Sequence, residues 1–489
     1  MRTHIAGYPF PGSPERPGSE ALAVMKRAVA LCAAMLLAGC AIGPDYRRPA
    51  LSTPEKFRFD PAAAAATARP LEWRNLYRDE NLTALIREAL ANGYDVRIAV
   101  ARVEEARAAA VEARAGLLPS VSYGGSVSRG KNEEFDGVLP NGGLITNSAA
   151  GTLSTFWEFD LWGRVRRQNE AAHARWLASE QGRREVELFL LSDVAETYFE
   201  LMELDQELSI SENAASSFEE SLHIFRQRLE GGTASALESA RAQADWDDAA
   251  AGIPATQQAI AQLENRLSVL LGRQPGPIAR GSLAGSIDRF PAIPPGLPSD
   301  LLERRPDILE AEDELRAANA DVGESIGEFF PKIGLTAILG KVSPDLKDFT
   351  RSGATAWGIG ADGTGPLFEG GRLVGQYRGA KAARSESEMR YAQAVLNAFR
   401  DVSDALVARE LQGERRVREA DEVSALEQAV QVSRDRYASG KAGYFEVLEA
   451  QQQLFPAQLA LARTQRDELL ASVALYRALG GGWDESTGR

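Results

Sequence analysis

Two periods of apolar residues take turns along this chain. After Pro119, Val121, Tyr123 and Val127 alternate with Ser122, Gly124, Ser126 and Ser128. A polar, Gly- and Asn-rich loop follows. Then Leu153, Thr155, Trp157, Phe159 and Leu161 alternate with Ser154, Glu158 and Asp160. Further on, Ile333, Leu335, Ala337 and Leu339 alternate with Lys332, Gly334 and Thr336. Trp357, Ile359 and Ala361 alternate with Gly358, Gly360 and Asp362. A period of two predicts strands, and runs of ~10 residues are the length of a tilted strand crossing a bilayer. Elsewhere the period is that of a helix. Val186, Leu190, Val194, Tyr198, Leu201 and Leu208 share a helical face in the proline-free stretch from Arg164 to Leu229. At ~1.5 Å per residue that helix is ~100 Å long, and Arg372 to Ala438 predicts a second one like it. Each is followed by a shorter arm of ~58 Å, Thr233 to Leu271 and Lys441 to Leu479. Pro306 to Gly327 predicts a further helix of ~33 Å. Leu448, Phe455, Ala462, Leu469 and Tyr476 recur every seven residues in the last arm, which is coiled-coil spacing. Pro254 and Pro456 lie within the arms and are expected to bend them.

These elements occur twice. Arg228, Gly232, Glu238, Ala242 and Gln243 reappear 208 residues later as Arg436, Gly440, Glu446, Ala450 and Gln451. Gly163-Arg164 becomes Gly371-Arg372, and Leu271-Gly272 becomes Leu479-Gly480, at the same offset. Asp95 and Pro119 match Asp307 and Pro331 at an offset of 212. The change by four falls between Pro119 and Gly163, in one connecting loop, where length differences cost least. A long internal repeat sets the architecture. Each Arg-to-Gly stretch reads as the tip of a helical hairpin, closed by a glycine at a helix C-terminus. The predicted organisation is a leader over 1–39, an arm over 40–78, and a first repeat over 79–271. A Gly/Pro-rich segment over 272–305 then leads to a second repeat over 306–489.

The N-terminus adds an address. Met25 to Gly39 has a basic start and an apolar core too short to span a bilayer, which is signal-peptide form. Residues 1–24 are either an extended leader or lie upstream of the true start at Met25. The run ends Leu37-Ala38-Gly39-Cys40, which resembles a bacterial lipobox and implies cleavage before Cys40 and acylation there. The plainer alternative is a signal peptide with a chance cysteine. Cys32 leaves with the signal, so the mature chain keeps one cysteine and has no disulfide framework. Loss of 1–39 moves the formal net charge from −14 to −16, which disfavours nucleic acid as a partner. His173 and His223 sit in helical patterns and read as surface or packed residues, not as metal ligands or catalytic groups. Gly480-Gly-Gly482 ends a helix and does not join a strand to one, so it reads as a cap and not as a phosphate loop. No cofactor and no enzymatic reaction are expected.

Four strands cannot close a barrel, and open sheet edges in lipid leave backbone groups unpaired. Several copies must share one barrel. At this point the chain resembles the TolC-like outer-membrane efflux proteins, in their OprM-like lipoprotein branch. The resemblance rests on Gly43-Pro-Asp-Tyr46, the joins at Pro119 and Pro331, Arg304-Arg-Pro-Asp307, Gly365-Pro-Leu-Phe-Glu-Gly-Gly-Arg372, Arg436-Tyr437 with Gly440, and Ala478-Leu-Gly-Gly-Gly-Trp483. It implies a mainly α protein with membrane β structure, whose helical hairpins form a periplasmic tunnel. Four transmembrane strands per chain would contribute to a shared trimeric β-barrel in the outer membrane. It implies a periplasmic adaptor and an inner-membrane RND-type transporter as partners, and passive conduction of drugs or other small molecules. It implies adaptor-docking tips at Arg228, Gly232, Arg436 and Gly440, and a periplasmic gate at Arg436, Tyr437 and Glu449. Glu238 and Asp245 are the candidate partners of Arg436. A solute uptake porin would not need the ~100 Å helices, and a structural coiled-coil lipoprotein would not need the alternating strands.

Overall fold

The computed structural model describes residues 41–59, 73–131, 145–287, 293, 298–344 and 346–482. The leader, Cys40 and Trp483 lie outside the described residues. The chain divides into two compact units. One comprises 1–45, 112–170 and 319–381, the other 46–111, 171–318 and 382–489. The main elements in chain order are α1 (Glu80–Asn92), α2 (Tyr94–Ala115), β1 (Ser120–Lys131), β2 (Ile145–Glu158), α3 (Arg164–Glu230) and α4 (Ala236–Leu270). The second half gives α5 (Pro306–Gly327), β3 (Lys332–Ser343), β4 (Thr355–Thr364), α6 (Arg372–Ala438) and α7 (Tyr444–Ala478).

The first unit carries one antiparallel four-stranded sheet in the order β1-β2-β3-β4. Its register runs from Ser120↔Phe156 to Lys131↔Ile145 between β1 and β2. Across the middle it sets Leu153 opposite Leu339, and between β3 and β4 it sets Leu339 opposite Trp357. Strand alternation then gathers Val121, Tyr123, Val127, Leu153, Leu339, Trp357 and Ile359 on one face, and all of them are exposed. The other face mixes small and polar residues with Phe156, Ile338 and Val342, and on it Ser122 and Ser154 are bonded through their hydroxyls at 2.7 Å. β2 reaches 14 residues, longer than its alternating run, because the whole length of β1 pairs with it.

In the second unit the core is built on the inward stripes of the long helices. Val194, Tyr198, Leu201 and Met202 of α3 meet Leu82 and Ile86 of α1, and Leu475 and Tyr476 of α7 join the same cluster. Asp79 caps α1, its carboxylate accepting from the backbone of Leu82 at 3.1 Å. α3 and α6 have 67 residues each, and α4 and α7 have 35 each. The arms are shorter than the sequence suggested, about 53 Å at helical rise, because the tip turns absorb their first three residues. Leu448, Ala462, Leu469 and Tyr476 are buried as the seven-residue period requires. Pro254 and Pro456 lie inside helices that continue through them.

Candidate functional site

Both tips lie in the second unit and close by one motif. In the first, Gly232 has φ +69°, its N–H donates to the Leu229 carbonyl at 3.0 Å, and Thr233 N–H donates to the Arg228 carbonyl at 2.7 Å. In the second, Gly440 has φ +72°, its N–H donates to the Tyr437 carbonyl and Lys441 N–H to the Arg436 carbonyl, both at 2.9 Å. This is the Schellman arrangement, and a side chain at either glycine would be strained. The tips differ in how the next helix starts. Ser235 caps α4 in a capping box: its hydroxyl accepts from Glu238 N–H at 3.2 Å, and Glu238 accepts from Ser235 N–H at 2.7 Å. Those bonds hold the Glu238 carboxyl below its ordinary range. α7 starts at Gly443, which has no side chain to cap with. Fewer bonds therefore fix the second tip.

Side chains link the two hairpins. The Arg228 guanidinium donates to the Tyr437 hydroxyl at 2.7 Å and stands 5.0 Å from its ring centroid. Tyr437 packs edge-on against Tyr444 at 4.9 Å. Tyr444 is buried, with its hydroxyl 2.9 Å from that of Ser221, and Phe225 packs on its ring. Ser221 donates to Gln451 at 3.1 Å, and Gln451 donates to Ser217 at 2.7 Å. Burial pushes the Tyr444 hydroxyl pKa up, against the Ser221 bond.

The expected gate residues are not brought together within the chain. Arg436 pairs with Glu446 of its own hairpin at 3.3 Å, both side chains half-exposed. Within one chain its partner is neither of the two candidates that the sequence left open. Glu238 is engaged in the capping box, and Asp245 accepts from Gln452 at 2.7 Å. Glu446 lies one helical turn beyond the tip and faces Arg436 across the turn, so it meets the guanidinium first. Tyr437 is held by Arg228, and Glu449 is exposed. His173 lies edge-on to Trp176, and His223 meets Gln227 at 2.9 Å. No group of metal-ligating residues occurs among the described residues, nor a helix long and apolar enough to cross a membrane.

An exposed apolar sheet and long helical hairpins in one chain decide which comparisons matter. The family model described as "Outer membrane efflux protein" matches residues 85–273 and again 297–481. The chain belongs to the outer membrane efflux protein family. It is an outer-membrane efflux channel protein. It is 35% identical over 463 residues to the probable efflux pump outer membrane protein TtgC of Pseudomonas putida, covering 93% of this chain and 95% of that one. The probable outer membrane lipoprotein SilC of Salmonella typhimurium is 31% identical over 455 residues, covering 92% and 97%. Among solved structures, the outer-membrane channel OprN superposes with a TM-score of 0.83 at 29% identity, over 91% of this chain and all of that one. The open-state MtrE channel of Neisseria gonorrhoeae gives 0.81 at 29%, over 91% and 98%.

Two motifs of this efflux protein gain physical roles. Gly43 has φ +110°, and a Cβ there would stand 2.5 Å from the Gly323 backbone, so the arm lies directly on α5. Pro44 accepts from the Asn319 amide at 2.7 Å. Arg167, buried, donates to Asp45 and Glu170 at 2.7 Å each and to the Ile42 and Gly43 carbonyls. Farther along the arm, Tyr46 and Arg48 donate to buried Glu312, which Arg316 also holds. Burial opposes ionisation of Glu312, but these donors win and its pKa is lowered. In the second motif, Arg305 donates to Asp307 at 2.7 Å, to Asp401 at 3.1 Å and to the terminal carbonyl of α7, Ala478, at 2.9 Å. Arg167 and Glu312 escaped the sequence reading, because charged residues in helices look like solvated faces. The arm motif Gly43-Pro-Asp-Tyr46 was the available signal.

Proposed function

We propose that three copies of this chain form one outer-membrane tube that conducts drugs or other small molecules passively out of the periplasm. The observation that carries this reading is the open four-stranded sheet with an exposed apolar face, set in a chain with helices ~100 Å long. Such a face is suited to lipid, and such an edge must be paired there. The double family match and the equal helix lengths support a two-fold internal repeat. Energy and choice of cargo then belong to partners, a periplasmic adaptor and an RND-type transporter. Similar proteins carry names as different as toluene efflux pump and cation efflux system, which fits a generic tube. Cys40 is the proposed acylation site, supported by the lipobox and by a relative named as a lipoprotein. Gly232, Arg436 and Gly440 remain proposed adaptor contacts. Arg228 shares that role with its hold on Tyr437. Arg436, Tyr437 and Glu449 remain the proposed gate, closing between copies.

The purified protein should give long-lived single-channel steps in a planar bilayer and an oligomeric mass in detergent. A folded, conducting particle of single-chain mass would defeat the reading. Labelled palmitate should mark wild type and not Cys40→Ser, and equal label in both would defeat the anchor.

A further inference from the structure

The end of α7 leads into three glycines, and they leave a hollow beside it. Gly480 and Gly481 take φ +82° and +72°, and Gly481 N–H donates to the Tyr476 carbonyl at 3.1 Å. Gly482 N–H then donates to the Tyr476 hydroxyl at 2.9 Å. The backbone therefore folds back over the last turn of α7 with no side chain to place there. A recess of about 170 Å³ lies against Gly481 and Gly482. Its walls are Trp73 of the short helix Trp73–Leu76, Leu90 of α1, Leu188 and Leu191 of α3, and Tyr476 of α7. Leu188, Leu191 and Tyr476 are buried, and Trp73 and Leu90 pack on the same core from its edge. All of these residues belong to the second unit. α1 and α3 come from the first half of the chain and α7 from the second, so the recess lies where the two halves meet.

Polarity and size select the occupant. A water needs two to four polar partners to stay in such a place. The polar side-chain groups at the walls are already engaged: the Tyr476 hydroxyl accepts from Gly482, and Arg183 donates to the Glu187 carboxylate. The other side chains are aliphatic or aromatic. An apolar cavity of ~150 Å³ stays dry and takes up benzene. Drug-sized molecules need ~300 Å³ or more. The recess therefore admits one ring or two fused rings, and nothing larger. Trp73 and Tyr476 can meet an aromatic guest edge-on or offset, the arrangements that ring quadrupoles favour.

We infer that this recess is a binding site for one small apolar aromatic solute, of benzene to indole size. The site asks neither charge nor hydrogen bond of its guest. Every wall comes from a single chain, so the site is independent of the three-copy reading. The guest touches α1 and α3 on one side and α7 on the other. Occupancy ties the two halves together there and stabilises the fold by mass action.

The test uses the full-length protein in detergent, labelled with fluorotryptophan, its fluorine NMR signals assigned by single Trp→Phe variants. Benzene should move the Trp73 signal and saturate. Trp357, exposed on the sheet, reports solute that only partitions into detergent, and its signal should drift without saturating. Leu188→Phe fills the recess and should abolish the Trp73 response. Crystals of the wild type soaked in iodobenzene give a readout that needs no variant, and should show an iodine peak against Leu188 and Leu191. A Trp73 signal that benzene leaves in place or moves without saturation would overturn the site. So would a response that survives Leu188→Phe, or iodine found only elsewhere. A chain ending at Gly482 tests the competing occupant, Trp483 of the chain itself. An equal Trp73 response with and without the residues beyond Gly482 supports the solute site. A response that appears only in the shortened chain would give the recess to Trp483 and overturn it.

Discussion

Tyr437→Phe isolates the bond that joins the two hairpins. It removes the hydroxyl that accepts from Arg228 at 2.7 Å. It keeps the ring under the guanidinium and the edge-on contact with Tyr444. A hydrogen bond to a charged group contributes about 1.5–3 kcal/mol when buried, and half-exposure of both partners brings this to about 1 kcal/mol. The loss bears on gating only if the bond holds in the closed tube and breaks in the open one. In a three-copy tube that opens in concert, three such bonds amount to about 3 kcal/mol, or roughly a hundredfold in the closed-to-open ratio. Tyr437→Phe should therefore raise the open probability in a planar bilayer, where no adaptor is present to confuse docking with gating. Cells carrying it should become sensitive to antibiotics too large for the resting tube. Arg228→Ala should do the same and more, because the cation–π contact goes too. Unchanged open probability in both variants, with oligomers intact, would refute the latch and leave Arg228 as a docking residue only.

Other outcomes follow from buried charge and close packing. Burial and neighbouring Glu207 push the Glu203 carboxyl up to about 7, against the pull of Arg466. Its folded pKa exceeds the unfolded value of 4.5, so the fold binds more protons between those pH values and Glu203 costs stability as pH rises through 7. Glu203→Gln should raise thermal stability at pH 8 by about 1–3 kcal/mol and leave it nearly unchanged near pH 4.5; a gain equal at both pH values would contradict this. Gly43→Ala forces a Cβ into the Gly323 backbone, and should release the arm to protease at Arg47 and Arg48 at a cost of about 2–4 kcal/mol. An arm as resistant as wild type would show that α5 yields to the new methyl. Arg305→Ala leaves Asp307 and Asp401 facing each other without their shared donor, and should cost about 3 kcal/mol in thermal or denaturant unfolding, most of it recovered by adding Asp401→Asn; failure of that rescue would assign the loss to the Ala478 cap instead.

Much of the fold was legible because the apolar period changes where the elements change. Pro306–Gly327 and Arg372–Ala438 match the spans read from sequence. Proline opens one, the double glycine before Arg372 opens the other, and a left-handed glycine closes α6. A helix start near Asp79 or Asn81 and a helix over Asp95 to Ala115 are legible too, and the structure sets the break between them at Gly93. There the constraint is close packing: a Cβ at Gly93 would stand 2.5 Å from the Ala89 carbonyl, 3.0 Å from the Leu190 side chain and 3.2 Å from the Leu270 carbonyl. Periodicity reports which face of an element is buried, not which distant residue shares it. The Arg228–Tyr437 bond spans 209 residues of chain, and the Arg305–Ala478 bond spans 173. A local motif marks each arginine, but nothing local to it names the distant partner.

Within one chain Arg436 meets Glu446, and neither Glu238 nor Asp245, for a related reason. The repeat sets Glu446 in the place of Glu238, one turn into each returning helix. In the first hairpin Ser235 claims that carboxylate for a capping box. In the second, Gly443 makes no such claim, so Glu446 is left for Arg436. One substitution between matched positions thus turns a helix cap into an ion pair at the tip. It leaves the second tip with fewer backbone restraints and a salt-screened side-chain contact in their place. An element that must move is drawn from the less restrained part of a fold. By that argument the second hairpin, not the first, is the one suited to swing, with Tyr437 of α6 releasing Arg228 as it does.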